Sequence, residues 1–234
     1  VLLYHHINDS IKTRYSVSTA TFRAQMRALH EQGYQTITIS QLADVIRSGG
    51  VLPEKPVVLT FDDGYMDVYE NAFPVLKEYG FTGTAYIITQ TLEPKYSYGY
   101  MQARELRALH AAGWEIGSHS VSHTDLKKTP LGIGTEITRS RKTLEEVIDA
   151  PVRSFSYPYG VANDWIKDHV KEHGYESAVG LDILVTHRPQ RLYYLSRREV
   201  VRSLTLKEFQ ALLVASQEEA AALRLTQTPV PPQR

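Results

Sequence analysis

Two clusters in this 234-residue chain have the residue types and spacing that chemistry needs. The first is Asp62-Asp63-Gly64, at the end of the apolar run Val57-Val58-Leu59-Thr60-Phe61. That run reads as a buried strand between Pro56 and Gly64, so the carboxylates stand where the chain must turn. Neighbours on an extended chain point to opposite sides. The two carboxylates are therefore expected to do different jobs, one binding a cation and one facing a water or a substrate. Alone, Asp-Asp-Gly is an ordinary turn signal. The second cluster is His119-Ser120-Val121-Ser122-His123. On a helical turn, imidazoles four residues apart share a face and can meet one cation. Alone, that spacing fits a pair of surface histidines equally well. Taken together, two imidazoles and one carboxylate make a three-ligand site with open positions, as in hydrolytic zinc sites. The spare carboxylate would then be its general base.

These residues need elements to position them. Val1 to Tyr4 reads as a buried strand running into His5-His6. Ser18 caps a helix whose face is Phe22, Met26 and Leu29. Residues 36–39 are a predicted strand, and Ser40 a predicted cap of a short helix. A helix over 67–79 restarts at Pro74. Residues 84–88 form a strand, followed by a tyrosine-rich loop over 89–100. Residues 115–118 are a strand that delivers His119. A charged amphipathic helix over 135–148 and a strand over 154–156 lead to Tyr157-Pro158-Tyr159-Gly160. A helix over 164–173 has Asp164 as its expected cap, with Trp165 as a packing residue. Residues 177–179, 193–195 and 199–201 read as extended, and Thr205 with Glu208 forms a capping box.

Gly33-Tyr34, Gly80-Phe81, Gly113-Trp114 and Gly174-Tyr175 each end a helix just before a strand. Glycine followed by an apolar residue is a Schellman-type stop. Helix, stop and strand repeat without a domain-sized break, which predicts a single α/β domain and a closed or nearly closed (β/α) barrel. In such barrels chemistry gathers at the C-terminal strand ends. His5, Asp62, Asp63, His119 and Tyr159 all follow predicted strands.

The bulk numbers exclude little. Lys plus Arg and Asp plus Glu both total 26, so charge points to no nucleic-acid or membrane-surface partner. Cysteine is absent, which removes disulfides and thiolate metal sites. No apolar run reaches the length of a membrane span. The first residue is Val, so an export signal or anchor is expected to have preceded it. The 15 tyrosines include candidates for stacking on sugar rings. Residues 226–234 read as a disordered Pro-rich tail, leaving 1–225 as the domain.

Thr60-Phe61-Asp62-Asp63-Gly64-Tyr65 with His119 to His123 resembles the first two motifs of the polysaccharide deacetylases, the NodB-homology carbohydrate esterases. Tyr157-Pro158-Tyr159-Gly160 resembles their third. The resemblance runs from Val1 to about Val201. It implies a distorted (β/α)7 TIM-like barrel and metal-dependent removal of N- or O-acetyl groups from glycans. By position, Asp62 resembles the catalytic base, and Asp63, His119 and His123 resemble the metal ligands. The backbone N–H of Tyr159 resembles the oxyanion donor, and Tyr157, Pro158 and Tyr65 are expected near the substrate. The family's third motif starts with Arg where this chain has Ser156. Arg197 could orient the base instead, or make a plain surface ion pair. For the general acid, Leu2-Leu3-Tyr4-His5 and Leu184-Val185-Thr186-His187 both resemble the family's last motif. His5 is preferred, because a start such as Val-Leu-Leu-Tyr-His-His resembles the exopolysaccharide (poly-β-1,6-N-acetylglucosamine) deacetylase branch. His30, His110, His169 and His173 lie on predicted helices and receive no role.

The expectation is therefore a metal-dependent N-deacetylase acting on an N-acetylglucosamine polymer such as exopolysaccharide, peptidoglycan or a chitin-like glycan. The alternatives are an O-acetyl esterase on xylan or another glycan, and an inactive glycan-binding relative. Zinc is the expected metal, with cobalt or nickel also fitting. A monomer working outside the cell, at its surface or in the periplasm is expected, with no nucleic-acid partner.

Overall fold

Seven short parallel strands carry the residues singled out above. In the computed structural model the described residues are 1–182 and 187–214; the expected tail lies outside them. The strands are β1 (Leu2–Tyr4), β2 (Leu59–Phe61), β3 (Thr84–Ile87), β4 (Glu115–Ser118), β5 (Ser154–Ser156), β6 (Ser177–Val179) and β7 (Arg198–Glu199). Their order in the sheet is β6-β5-β4-β3-β2-β1-β7. The two ends meet through a parallel bridge between Val179 and Leu195, just before β7. The sheet thus curls into the distorted (β/α)7 barrel, and β1 sits beside the closing strand β7.

Helices cover the outside: α1 (Thr19–Glu31), α2 (Ile39–Ser48), α3 (Phe73–Glu78), α4 (Ala103–Ala111), α5 (Ile133–Ile148), α6 (Asp164–Glu172) and α7 (206–214). Strand residues alternate as the pleat requires. Tyr4, Leu59, Phe61, Ala85, Ile87, Ile116, Phe155 and Ala178 pack outward into the main core beneath the helices. The alternate residues Thr60, Thr84, Gly117, Ser154 and Ser156 are small or polar. Tyr86 belongs instead to a smaller cluster with Val58, Val179 and Leu195. At Gly117 any Cβ would lie 2.4 Å from the Tyr86 ring, so only glycine leaves room for it. The guanidinium of Arg197 lies 5.6 Å from the centroid of that ring.

The four glycine stops are Schellman motifs. The N–H groups of Tyr34, Phe81, Trp114 and Tyr175 bond back to the carbonyls of Leu29, Leu76, Leu109 and Val170, with each preceding glycine at positive φ. Pro74 opens α3 after a π-helical turn over Val68–Ala72. Three expectations need correction. The predicted strand 36–39 is only Gln35–Thr36, because Thr38 and Gln41 form a capping box that starts α2 at Ile39; Ser40 is not the cap. Asn163, not Asp164, caps α6, since its side chain accepts the Ile166 N–H. Residues 193–195 are a turn that leads into the bridge rather than a strand.

Candidate active site

The rim at the C-terminal strand ends gathers residues from β1, β2, β4, β5 and the closing segment. Asp62 and Asp63 leave β2, but they do not point to opposite sides. Asp63 has φ 74° and Gly64 φ 82°, and this left-handed turn breaks the strand alternation. Both carboxylates therefore approach His119, whose Nε2 lies 3.7 Å from Asp62 Oδ2 and 3.5 Å from Asp63 Oδ1. A Cβ at Gly64 would also lie 3.2 Å from Ile87 Cδ1, a second reason for glycine there.

The two histidines converge, but by a different route from the expected helical turn. Residues 119–123 are irregular, with Ser120 at φ 65° and His123 at φ 58°. Ser120 Oγ accepts the His123 N–H at 3.0 Å and folds the chain back. The rings lie 4.7 Å apart. His123 Nε2 is 3.5 Å from Asp63 Oδ1, the same oxygen that His119 faces. His119 Nδ1 lies 2.8 Å from the Ser156 carbonyl. A carbonyl can only accept, so Nδ1 carries a proton; in the neutral ring the lone pair is then on Nε2, the nitrogen nearer Asp63. Burial, then His119, lowers the pKa of His123 and favours its neutral form.

This donor set fits a divalent cation. Asp63 Oδ1 is buried and has no hydrogen-bond partner among the described residues. One ligand atom from each of Asp63, His119 and His123 lies within 4.8 Å of the others. A buried acceptor left without a donor costs about 1–3 kcal/mol, and a cation between these atoms would relieve that cost.

Asp62 is held by other groups. Arg197 binds it through two parallel bonds, Nη1 to Oδ1 and Nη2 to Oδ2, both 2.7 Å. Ser156 Oγ donates to Oδ2 at 3.0 Å and accepts from Arg197 Nη2 at 2.9 Å. The serine at the position of the family's usual arginine thus joins the same network as the arginine from the closing segment. Burial would raise the pKa of Asp62, but Arg197 and His119 outweigh it and hold the carboxyl well below its ordinary range.

His5 follows β1, and its charged neighbours are Asp62, Asp63, Arg197 and His119. Its ring lies 4.9 Å from that of Tyr15. His6 turns elsewhere: its Nδ1 is 2.7 Å from buried Asp67, and its ring stacks 3.5 Å from that of Tyr65. His187 is not with the others. Burial, with Arg191 adding to it, lowers its pKa.

The third-motif residues divide. Tyr159 is 61% exposed and its ring lies 4.6 Å from that of His123, with its backbone left-handed at φ 59°. Tyr157 is fully buried and donates its hydroxyl to the Tyr193 carbonyl. Its side chain belongs to the core and cannot reach a substrate, and Pro158 is buried as well. Tyr65 stays at the rim, where burial and then the Asp63 charge raise its pKa. Sequence reasoning passed over Glu136, which accepts the N–H groups of Val121 and Ser122 and the Ser122 hydroxyl. Its partners lie 14 and 15 residues away on a loop, beyond any local pattern.

Comparisons with known proteins agree with this geometry. Residues 49–178, more than half of the chain, match the family model described as polysaccharide deacetylase. The Bacillus subtilis (strain 168) protein YxkH is 32% identical over 91% of this chain and 75% of its own length. A poly-beta-1,6-N-acetyl-D-glucosamine N-deacetylase of Escherichia coli (strain K12) is 25% identical over 93% of this chain. This chain spans only 38% of that relative. The Streptococcus pyogenes deacetylase PplD, solved in complex with acetate, superposes with a TM-score of 0.82. The match covers 91% of this chain and 96% of that one; at 22% identity the likeness is one of fold.

Proposed function

The chain belongs to the polysaccharide deacetylase family, and from that premise we propose that it is a metal-dependent hydrolase removing N-acetyl groups from N-acetylglucosamine residues of a polysaccharide. One observation carries the reading: Asp63, His119 and His123 converge beside an Asp62 that a separate arginine holds. The choice of N-acetylglucosamine rests on the name of the Escherichia coli relative.

Asp63 Oδ1 and the Nε2 atoms of His119 and His123 would hold the cation. When bound, a divalent cation supplies Lewis acidity at the acetyl carbonyl. Zinc suits two imidazoles and a carboxylate, and cobalt or nickel also fit. Asp62 takes a proton from the attacking water, whose oxygen ends in acetate. Arg197 and Ser156 keep that carboxylate from rotating away. The Tyr159 backbone N–H donates to the tetrahedral oxyanion. As the C–N bond breaks, His5 gives its proton to the departing amine. Burial lowers the pKa of His5, and the neighbouring charges of Asp62 and Asp63 oppose that by favouring its protonated form. Exposed Tyr159 and the rim residue Tyr65 offer faces to the sugar.

Acetate release from poly-β-1,6-N-acetylglucosamine, chitin oligomers and acetyl-xylan tests this, with and without exhaustive chelation. Chelator-sensitive release from an N-acetylated glycan is expected. Release from acetyl-xylan alone would make the protein an O-acetyl esterase. Binding without release would make it an inactive relative, and full activity after chelation would overturn the metal assignment. No helix among the described residues is long and apolar enough to cross a membrane. Work on a glycan outside the cytoplasm is part of the proposal, and fractionation of producing cells tests it.

A further inference from the structure

We propose that Glu136 is a positioning residue for the metal centre, acting through the turn that carries His123. The inference rests on the reading of Asp63, His119 and His123 as metal ligands.

The two histidines are held very differently. His119 continues the strand, with its N–H bonded to the Ile87 carbonyl at 2.9 Å and its Nδ1 fixed by the Ser156 carbonyl. Its direction is set before the turn begins. His123 stands at the far end of that turn, in a left-handed conformation at φ 58°. Such a backbone costs a residue other than glycine on the order of 1–3 kcal/mol unless its surroundings impose it. Ser120 Oγ folds the turn from within through the His123 N–H, but that bond does not tie the turn to the rest of the barrel.

Glu136 lies in the first turn of α5. One oxygen, Oε2, accepts from two consecutive backbone N–H groups, those of Val121 and Ser122, both at 2.9 Å. The other, Oε1, accepts the Ser122 hydroxyl at 2.8 Å. Consecutive N–H groups converging on an anion form a nest-like anchor, and all three bonds are charge-assisted. The carboxylate also faces the positive end of the α5 dipole. On the other side of the turn, the carbonyls of Ser120 and Val121 accept the N–H groups of Thr89 and Gln90. Glu136 is thus the only side chain among the described residues that holds residues 121 and 122 from the α5 side. Removing it would free two adjacent N–H groups and let His123 swing while His119 stayed in place. It touches no ligand atom, so its effect belongs to affinity before turnover.

The test is zinc affinity of the purified chain, read by competition with a chromophoric chelator, alongside melting of the metal-free protein. Glu136→Ala should weaken zinc up to about 10-fold, the low end of the loss for a group bonded directly to a metal ligand, because Glu136 acts through the backbone two residues away. Metal-free melting should fall, since three bonds are lost, so affinity is read well below the variant's melting temperature, where it is folded. Glu136→Gln keeps an acceptor for both N–H groups and should recover most of the affinity. Parent-like zinc affinity in Glu136→Ala overturns the inference. So does a Glu136→Gln variant as weak as Glu136→Ala, because charge and not placement would then be responsible. Should Glu136→Ala fail to fold, Ser122→Ala with Glu136→Gln decides: a few-fold weakening in each supports the role, and parent affinity in both removes it. A parent chain that binds no zinc, cobalt or nickel would overturn the metal reading itself.

Discussion

Asp62 and Asp63 are chemically identical neighbours, and their surroundings alone separate them. Asp62 has both oxygens tied to Arg197 and one to Ser156. Asp63 has one buried oxygen with no donor among the described residues, aimed between two imidazoles. That the two carboxylates would have different surroundings was legible in the sequence, but the geometry behind it was misread. Strand alternation suggested opposite directions; the left-handed turn at Asp63 brings both carboxylates to one site. If Asp62 is the base, Asp62→Asn should retain metal and lose at least ~10²-fold in turnover, the scale of a lost positioned base. Metal lost together with activity would mean that the two aspartates have exchanged roles. At the other side of the site, His5→Ala should remove most activity on an amide substrate while the metal stays bound. His187→Ala should be mild, since that ring lies near Val1 and Arg191 rather than with the carboxylates. A crippled His187→Ala would reassign the acid. His6→Ala should act on stability instead. Among the described residues it leaves buried Asp67 with only the Ile7 N–H and Asn8 Nδ2 as donors, a loss of about 1–3 kcal/mol measurable by denaturant unfolding.

Elements were legible where packing and backbone geometry leave a local mark. The helix-ending glycines and the period-2 strands could be read directly, because each reflects one residue's own φ or its own face. Element starts were less legible: Thr38 and Asn163 won the caps from Ser40 and Asp164 because the side chain at N-cap must reach N3, a choice neighbouring polar residues can share. Long-range braces left no mark at all. On α2, Asp44 and Arg47 meet Arg153 and Glu176, which directly precede β5 and β6. This ties a helix to the N-terminal edge of two strands. Arg153, followed by Arg47, outweighs burial and lowers the Glu176 pKa to about 2. A carboxylate depressed in the fold contributes stability above its ordinary pKa and loses it as pH falls through the folded value. Glu176→Gln should therefore cost a roughly constant amount from pH 7 to about pH 4.5, and that gap should close toward pH 2. The brace is partly exposed and screened, so the cost should be about 0.5–1 kcal/mol. A gap unchanged at pH 2.5 would show that the brace does not carry this titration.

At the scale of the whole molecule, the site exists only because the barrel closes. His5 comes from the first strand, Asp62 from the second and Arg197 from the segment that joins β6 to β1 through β7. Asp62 and Arg197 are 135 positions apart in the chain, so no local pattern could choose between a base-orienting arginine and a surface ion pair. Burial removes the surface ion pair: the two residues are 3% and 2% exposed and meet through both oxygens. Such a pair is weak evidence of net stabilisation, because desolvating two charges offsets much of their attraction. Breaking it on one side is another matter. Arg197→Met should leave a buried carboxylate without its cation and cost about 3–5 kcal/mol in the metal-free protein. Arg197→Lys keeps the charge but cannot make two parallel bonds, so it should fall between parent and Met. Pairing Arg197→Met with Asp62→Asn removes the stranded charge, and the double variant should be more stable than the sum of the two losses predicts. Denaturant unfolding of all four proteins closes the cycle, with an interaction term of at least ~1 kcal/mol expected for groups in direct contact. Strict additivity would mean that Asp62 and Arg197 do not act on each other, and the closing strand would then only complete the barrel wall without setting the base.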